Sequence, residues 1–408
     1  MHQGYKMKMY PNLTEVSVTF SAPDLLTHVH RLSTAIGPRP QGSPANQAAA
    51  DYIQAVFQAA GLEVEEQPYA CTAWEHFETR LTLAGRPLEA AANVFSLPCD
   101  LTGLCVPVCS LAELEQAEIT GKFVLFYGDL TTGPLSPKAW FLFGERDRQI
   151  LDLLERKRPL ALLAAPVTTV EVEQLTEDWE FDLPAASLSA AAALEVIRNP
   201  AASLHLTIQA QRSPATARNL VARRPGPGAE KIVLMAHFDT KIETPGATDN
   251  AAGVAVLLGL AQTLVETELP CGLELVAFSG EEYLPLGDDE YLRRGEADFP
   301  HIRVALNFDG VGAALGTTTL TALSASAEFE AQVKSLLPRH LGVIWVDPWP
   351  ESNHSTFAFR GVPALAFGSV GLRHLAHSPR DTADQVSEAK LAETLRLALE
   401  ILELFRES

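Results

Sequence analysis

Five side chains of metal-ligand type follow one another through the second half of the 408-residue chain: His237, Asp249, Glu282, Asp309 and His377. Imidazoles and carboxylates are the donors expected for zinc, with manganese or cobalt as alternatives. Two histidines and three acids are more than one tetrahedral catalytic ion needs. They suffice for two divalent ions if one carboxylate bridges, which is a known hydrolytic device. Glu281 stands next to Glu282. Neighbouring side chains diverge on an extended backbone, so one carboxylate can bind metal while the other faces a bound water as general base. Asp239 lies two residues after His237, and on a strand that pair shares a face. Its carboxylate is therefore placed to accept the second ring N–H.

These residues need elements that bring them together. The apolar run 232–235 (IVLM) reads as a buried strand, and 251–264 as a buried helix. The stretch between them therefore spans a strand end, a loop and a helix start, the edge at which open α/β sheets bind ligands. Further strands are expected at 271–282 (CGLELVAFSGEE), 302–310 (IRVALNFDG) and 363–369 (PALAFGS), each ending in or followed by an acid or histidine. Taken singly the pieces are weak. A lone HFD or Glu-Glu pair is usually incidental, and DG after a strand is usually a turn. Four strand ends in one sheet all carrying ligand-type residues is the informative observation. Upstream, 21–61 reads as a helix, a Gly/Pro loop and a second helix from about Pro44 to Gly61, followed by a short strand at 62–65. An amphipathic helix closes the chain at about 388–405. From about 92 to 211 the character changes to strand-rich, with pieces at 119–130, 160–167 and 203–211 and a helix at 145–158, but no cluster of ligand-type residues.

Composition narrows the class. Hydrophobic residues make up 47% and charged residues 20%, which fits a folded protein long enough for two domains. A net charge of −20 argues against nucleic acid as partner and suits a site that gathers cations. No apolar run is long enough to span a bilayer, and 1–11 lacks the apolar core of a secretory signal, so a cytoplasmic location is expected. The five cysteines form no CxxC pair. A zinc–thiolate site is therefore not expected, and reduced thiols are the default, with Cys105 and Cys109 able to pair only in an oxidising compartment. Nothing in the sequence sets the oligomeric state.

The order H-x-D, P-G-A-x-D-N-A-x-G, G-E-E, N-x-D-G and a late H-S-P-x-D-T resembles the co-catalytic di-zinc exopeptidases, metallopeptidase family twenty-eight of clan MH. That family includes bacterial leucyl aminopeptidases and glutamate carboxypeptidase. The resemblance covers about 25–405, and IGPRPQGSPANQAAADYI (36–53) is similar to the family's N-terminal segment. It implies an α/β, mixed-sheet zinc exopeptidase sandwich of phosphorylase/hydrolase-like type. It places His237 and Glu282 on opposite metals, Asp249 as the bridge, and Asp309 and His377 as the completing ligands. Glu281 would be the general base and Asp239 the outer partner of His237. A cis peptide is implied between Asp249 and Asn250. The catalytic domain would comprise 1–91 and 212–408, and 92–211 resembles an inserted protease-associated domain.

Two departures stand out. The family has Asp-Asp-His or Ser-Asp-His followed by x-Pro-Phe where this chain has SNHSTF (352–357). His354 could still donate to a developing oxyanion or be a structural loop histidine. The loop after Glu282, YLPLGDDEYLRR, is long and acidic. Trp345 and Trp349 flank a proline-rich loop that could wall a side-chain pocket or simply be buried. The function expected is a metal-dependent aminopeptidase acting on short peptides, its free α-amine met by the acids of the site, including Asp288, Asp289 and Glu290. A carboxypeptidase would need an arginine clamp, for which Arg360, Arg373 and Arg380 are available. A glutaminyl-cyclase-like zinc enzyme and a non-catalytic, receptor-like protein complete the alternatives.

Overall fold

A computed structural model describes residues 22–138, 144–165, 174–264, 267–372 and 375–406. The opening segment read for a leader, the end of the strand expected at 160–167, and Arg373 lie outside the described residues. The larger sheet has ten strands. Its order runs Val343–Trp345, Thr317–Leu323, Ala364–Val370, Ile302–Phe308, Lys231–His237, Gly272–Phe278, Leu204–Arg224, Glu63–Leu83 and Arg86–Leu88, with Cys99–Gly103 also paired to Leu204–Arg224. From Ala364–Val370 to Gly272–Phe278 neighbouring strands are parallel; beyond them, Thr317–Leu323 and Leu204–Arg224 pair antiparallel. The sheet is mixed, as the resemblance implies.

The apolar run at the centre of this sheet is continuous because both faces are covered. Ile232, Leu234 and Ala236 enter one core, with residues of the helices Ala22–His30, Pro44–Ala59, Ala252–Leu264 and Glu388–Glu403. Val233 and Met235 point the other way, toward Tyr291 and Phe357 of the helices Leu286–Gly295 and His354–Ala358. Ala252–Leu264 is buried over nearly its whole circumference, which explains its lack of a polar stripe. A Cβ at Gly259 would come within 2.7 Å of Leu25 and Leu395, so this helix can be packed so closely only with glycine there. The helix expected from Pro44 is Pro44–Ala59, with the Ser43 side chain accepting from the Asn46 N–H.

The short strands expected at 62–65 and 203–211 belong to something larger. Glu63–Leu83 and Leu204–Arg224 are 21 residues each and pair antiparallel along their length, with a bulge between His76 and Glu78. One end of this ribbon completes the large sheet. Leu81, Leu83, Leu204, Leu206 and Ile208 at the other end enter a second core. That core carries a five-stranded sheet, ordered Ala90–Ala92, Ala185–Leu188, Ala161–Ala164, Phe123–Phe126 and Cys105–Val108. Glu145–Lys157 packs on it as the expected helix, through Ile150, Leu151, Leu153 and Leu154. The strands Thr317–Leu323 and Val343–Trp345 and the helix Ala327–Leu336 have no counterpart in the sequence reading. Cys105 and Cys109 are free thiols, like the other three cysteines. Among the described residues no helix is long and apolar enough to cross a membrane.

Candidate metal centre and substrate cleft

His237 ends the strand Lys231–His237; Glu281 and Glu282 follow Gly272–Phe278; Asp309 follows Ile302–Phe308; and His377 lies in the loop beyond Ala364–Val370. All five lie at or beyond the C-terminal ends of four strands that pair in parallel, so the sheet gathers them at one edge. Asp249 joins them from the turn before Ala252–Leu264, where its backbone and that of Asn250 leave helical geometry. The Asp249–Asn250 peptide is cis, as the resemblance implies. Asn250 is pinned on both sides of its amide: Nδ2 donates to the Phe308 carbonyl at 2.8 Å, and Oδ1 accepts from the Gly253 N–H at 3.0 Å.

The two oxygens of Asp249 face different partners. Oδ1 lies 3.2 Å from His237 Nε2, which is also 3.2 Å from Asp309 Oδ1. Oδ2 lies 3.1 Å from His377 Nε2, which is also 3.2 Å from Glu282 Oε2. Two triads result, His237–Asp249–Asp309 and Asp249–Glu282–His377, each with one donor atom per residue inside 4.8 Å and sharing Asp249. Glu281 Oε2 stands 4.0 Å from His237 Nε2, beside the triads.

Asp239 holds a different position from the one expected. Its Oδ1 is 3.7 Å from His237 Nδ1, beyond hydrogen-bond reach. Its two oxygens instead accept the backbone N–H groups of Glu281 at 3.2 Å and Glu282 at 3.3 Å. Asp239 thus fixes the loop that presents both glutamates.

Three supporting residues were not singled out in the sequence. Asp381, the aspartate of H-S-P-x-D-T, accepts from Thr248 N–H at 2.8 Å, Thr248 Oγ1 at 2.6 Å and Asp249 N–H at 3.0 Å. It therefore sets the Asp249 turn, and its place in the quoted motif was the available signal. Arg39 is wholly buried and donates to the carbonyls of Phe238, Pro245 and Gly246 at 2.5, 2.7 and 2.9 Å. Burial pushes its guanidinium down to about 10, while Asp239, Asp381, Glu282 and Asp249 act to hold it charged. Lys241 Nζ reaches the Glu282 carbonyl and lies 2.5 Å from Glu177 Oε2, over the Tyr283 ring.

The acidic loop is less of an electrostatic field than its sequence suggests. Asp288 is buried, accepts from Asn353 at 2.7 Å and Thr356 at 2.6 Å, and is pushed up by burial to about 7. Glu290 is bonded to Arg293 and Arg294, which hold it down at about 2. Arg360 turns to Glu296. His354 is fully buried; Nε2 lies 2.7 Å from the Trp349 carbonyl and Nδ1 3.4 Å from Asn307 Nδ2. A carbonyl only accepts, so the ring N–H is committed to Trp349 and is not available to an oxyanion in this arrangement.

Whether the residues fit cations can be tested on the charges. Burial pushes Glu281 well above the carboxylate range, reinforced by Asp309, Glu282 and Asp239 and opposed by His237. Desolvation opposes protonation of buried His237 and, less plainly, of His377, which is more than half exposed, yet neighbouring acids, Asp309 and Glu281 for the first and Glu282 and Asp249 for the second, raise both well above the usual range. Acids thus crowd together, with two imidazoles between them and Arg39 and Lys241 behind, and Glu282 Oε1 is buried with no hydrogen-bond partner. Divalent cations would replace those protons and engage the orphaned oxygen, so the donor set fits them. A cavity of about 440 Å³ opens over the site. Asp249, Glu281, Glu282, Asp309 and His377 line it together with residues 134–137 and Glu177 from the region of the second sheet.

The family model described as Peptidase family M28 matches residues 219–402. The chain is 25% identical over 308 residues to "Probable lipoprotein aminopeptidase LpqL" of Mycobacterium tuberculosis, covering 71% of this chain and 59% of that relative. It is 22% identical over 397 residues to Aminopeptidase YwaD of Bacillus subtilis, covering 93% and 83%. Among solved structures, an aminopeptidase from Aneurinibacillus sp. strain AM-1 shares the fold, with a TM-score of 0.77 over 94% of this chain and 93% of that one at 22% identity. Residues 219–402 contain both triads, Glu281, Asp239, Lys241 and Asp381, so the match to the Peptidase family M28 model falls on the segment that carries the site.

Proposed function

We propose that the chain is a metal-dependent aminopeptidase that removes the N-terminal residue from short peptides, with two divalent ions, zinc foremost, as its cofactors. The observation that carries this reading is Asp249, whose two oxygens each face a separate histidine–acid pair. His237 and Asp309 would hold one cation, His377 and Glu282 the other, and Asp249 both. When bound, such ions polarise a carbonyl and lower the pKa of water. Glu281 is the proton carrier of the reaction. It lines the cleft beside His237, within reach of a water at the triads, and it returns the proton it takes to the departing amine. Asp239 keeps Glu281 and Glu282 aimed apart through their N–H groups. The family match and the aminopeptidase relatives support the same reaction class.

The direction of attack is read from the lining. Neither cavity beside Asp249 is lined by an arginine among the described residues, so nothing there offers a planar clamp for a C-terminal carboxylate. The acids that remain suit an α-amine. Residues 134–137 and Glu177 share the lining of the cavity with the triads, and a cavity of about 440 Å³ suits short substrates. We assign 1–91 and 212–408 to the catalytic domain and 92–211 to a protease-associated-like insertion that supplies this part of the lining. The test is a matched set of one peptide with its N-terminus free or acetylated and its C-terminus free or amidated. Cleavage should be lost on acetylation and kept on amidation; the opposite pattern would reverse the assignment. Cyclisation of an N-terminal glutaminyl peptide without hydrolysis would point to a cyclase instead.

A further inference from the structure

His354 and Trp349 form a unit that the proposed reaction does not use. The His354 ring packs edge-on to the Trp349 indole, centroids 4.6 Å apart at 78°. Its Nε2–H is donated to the Trp349 carbonyl at 2.7 Å, and its Nδ1 faces Asn307 Nδ2 at 3.4 Å. Asn307 also donates to Ser352 Oγ at 2.8 Å, tying the start of this segment to the central sheet. The other end is tied by Asp288, which accepts from both Asn353 and Thr356. The two departures from the family pattern, SNHSTF and the acidic loop, thus meet at one buried carboxylate.

The anchored segment presents Trp349 to the cleft. The indole lines a cavity of about 460 Å³ that begins at Asp249 and Asp309 and continues along Val346, Val370 and Leu372. Its floor is Gly368, where a Cβ would stand 3.8 Å from the indole and 3.1 Å from the Asp309 carbonyl oxygen. Trp345 is absent from this lining; it packs against the large core and under Lys334. The cavity adjoins the triads; Val346, Trp349, Val370 and Leu372 give it an apolar wall beside the polar Thr319, Asp347 and Ser369, so a peptide whose first carbonyl sits at the triads can direct its first side chain along that wall.

We propose that His354 is a positioning residue and Trp349 a specificity determinant: the buried imidazole holds the indole as the wall of the pocket that receives an apolar first side chain. This rests on the aminopeptidase reading above.

The experiment compares leucyl and alanyl anilides with wild type, Trp349→Ala, His354→Ala, His354→Gln and the double alanine variant, at fixed metal content. Trp349→Ala should lower the leucyl-over-alanyl ratio of kcat/KM roughly tenfold, through the KM of the leucyl substrate. His354→Ala should lose the same selectivity, with kcat on the alanyl substrate within about threefold of wild type, and the double variant should add nothing. His354→Gln, whose amide can still donate to the Trp349 carbonyl, should recover part of the ratio. A fall in kcat of about 10²–10³ on both substrates alike in the His354 variants would instead mark an oxyanion donor and overturn the proposal. So would an unchanged ratio in Trp349→Ala. If His354→Ala does not fold, His354→Gln and Trp349→Ala decide by the same criteria. Wild-type failure on both anilides would count against the aminopeptidase reading alone; a crystal structure of His354→Gln then decides the positioning claim. An indole displaced from the wall supports it, and an indole unmoved with its carbonyl left unbonded overturns it.

Discussion

Phe123–Phe126 and Ala161–Ala164 in the smaller sheet are as fully buried as Gly272–Phe278 in the larger one, and in both sheets such strands run parallel. The residues just past the strand ends set the two sheets apart. In the smaller sheet these polar residues have local work: Ser189 caps the helix Ala190–Arg198, and Asp129 pairs loosely with Arg146 at the surface. In the larger sheet they converge instead, and among the described residues both triads able to hold a metal lie there. Buried parallel strands therefore make an edge, not a site. The site arises where several edges place polar side chains within reach of one another. Among the described residues, the smaller sheet's region contributes to the lining of that site through residues 134–137 and Glu177.

The largest effect that would sharpen this contrast is expected at Glu281. Glu281→Gln should lower kcat about 10²–10⁴-fold while metal content, read by elemental analysis, stays at the wild-type level. Asp129→Asn, at a strand end of the smaller sheet, should leave turnover unchanged in the same assay. A comparable fall in both variants would erase the distinction between the sheets. Next in size is Asp381→Asn, which touches no substrate but sets the Asp249 turn. It should weaken metal affinity or activity about 10–100-fold, and excess zinc should restore part of the loss. Full activity without added zinc would show that Asp381 has no part in setting the site.

A smaller change is expected from the lining of the cleft. Glu177→Gln breaks the ion pair to Lys241 and should shift KM a few-fold, on the order of 1 kcal/mol, more for longer peptides than for dipeptides. Equal shifts across peptide lengths would mean that the pair serves stability alone. An effect on stability, with none expected on turnover, concerns Asp288, raised in the fold from an ordinary 3.8 to about 7. Between those values the unfolded chain has lost the proton that the folded one keeps, so this group costs stability progressively as pH rises from about 4 to 7. Asp288→Asn removes that cost. Its Tm minus that of wild type should therefore grow from pH 4 to pH 7 and level off above. A difference that shrinks over this range would contradict the burial assigned to Asp288.

Much of the site was legible because it obeys a local rule. An apolar run followed by a polar residue gave His237, Glu281, Glu282 and Asp309, and the order of motifs added Asp249 and His377. The residues that escaped depend on contacts distant in sequence. Arg39 bonds to a carbonyl 199 positions away, and an arginine is by default read as exposed. Asp381 and Lys241 act through backbone groups, which carry no residue-type signal. The paired strands of 21 residues were seen only at their ends, because Glu75, His76 and Phe77 at the middle of Glu63–Leu83 are exposed and carry no apolar alternation. His354 was visible as a residue type, but which partner its ring N–H serves depends on the Trp349 carbonyl and so on the folded loop.

The central claim is that the triads sharing Asp249 hold two cations on which peptide cleavage depends. A single zinc titration of chelator-treated protein tests it, with bound metal per chain and cleavage of a free-amine leucyl substrate followed together. The expected result is saturation at two ions per chain with activity rising alongside, and, in Asp249→Ala, loss of both. Saturation at one ion or none, or full occupancy by two with no cleavage restored, would contradict it.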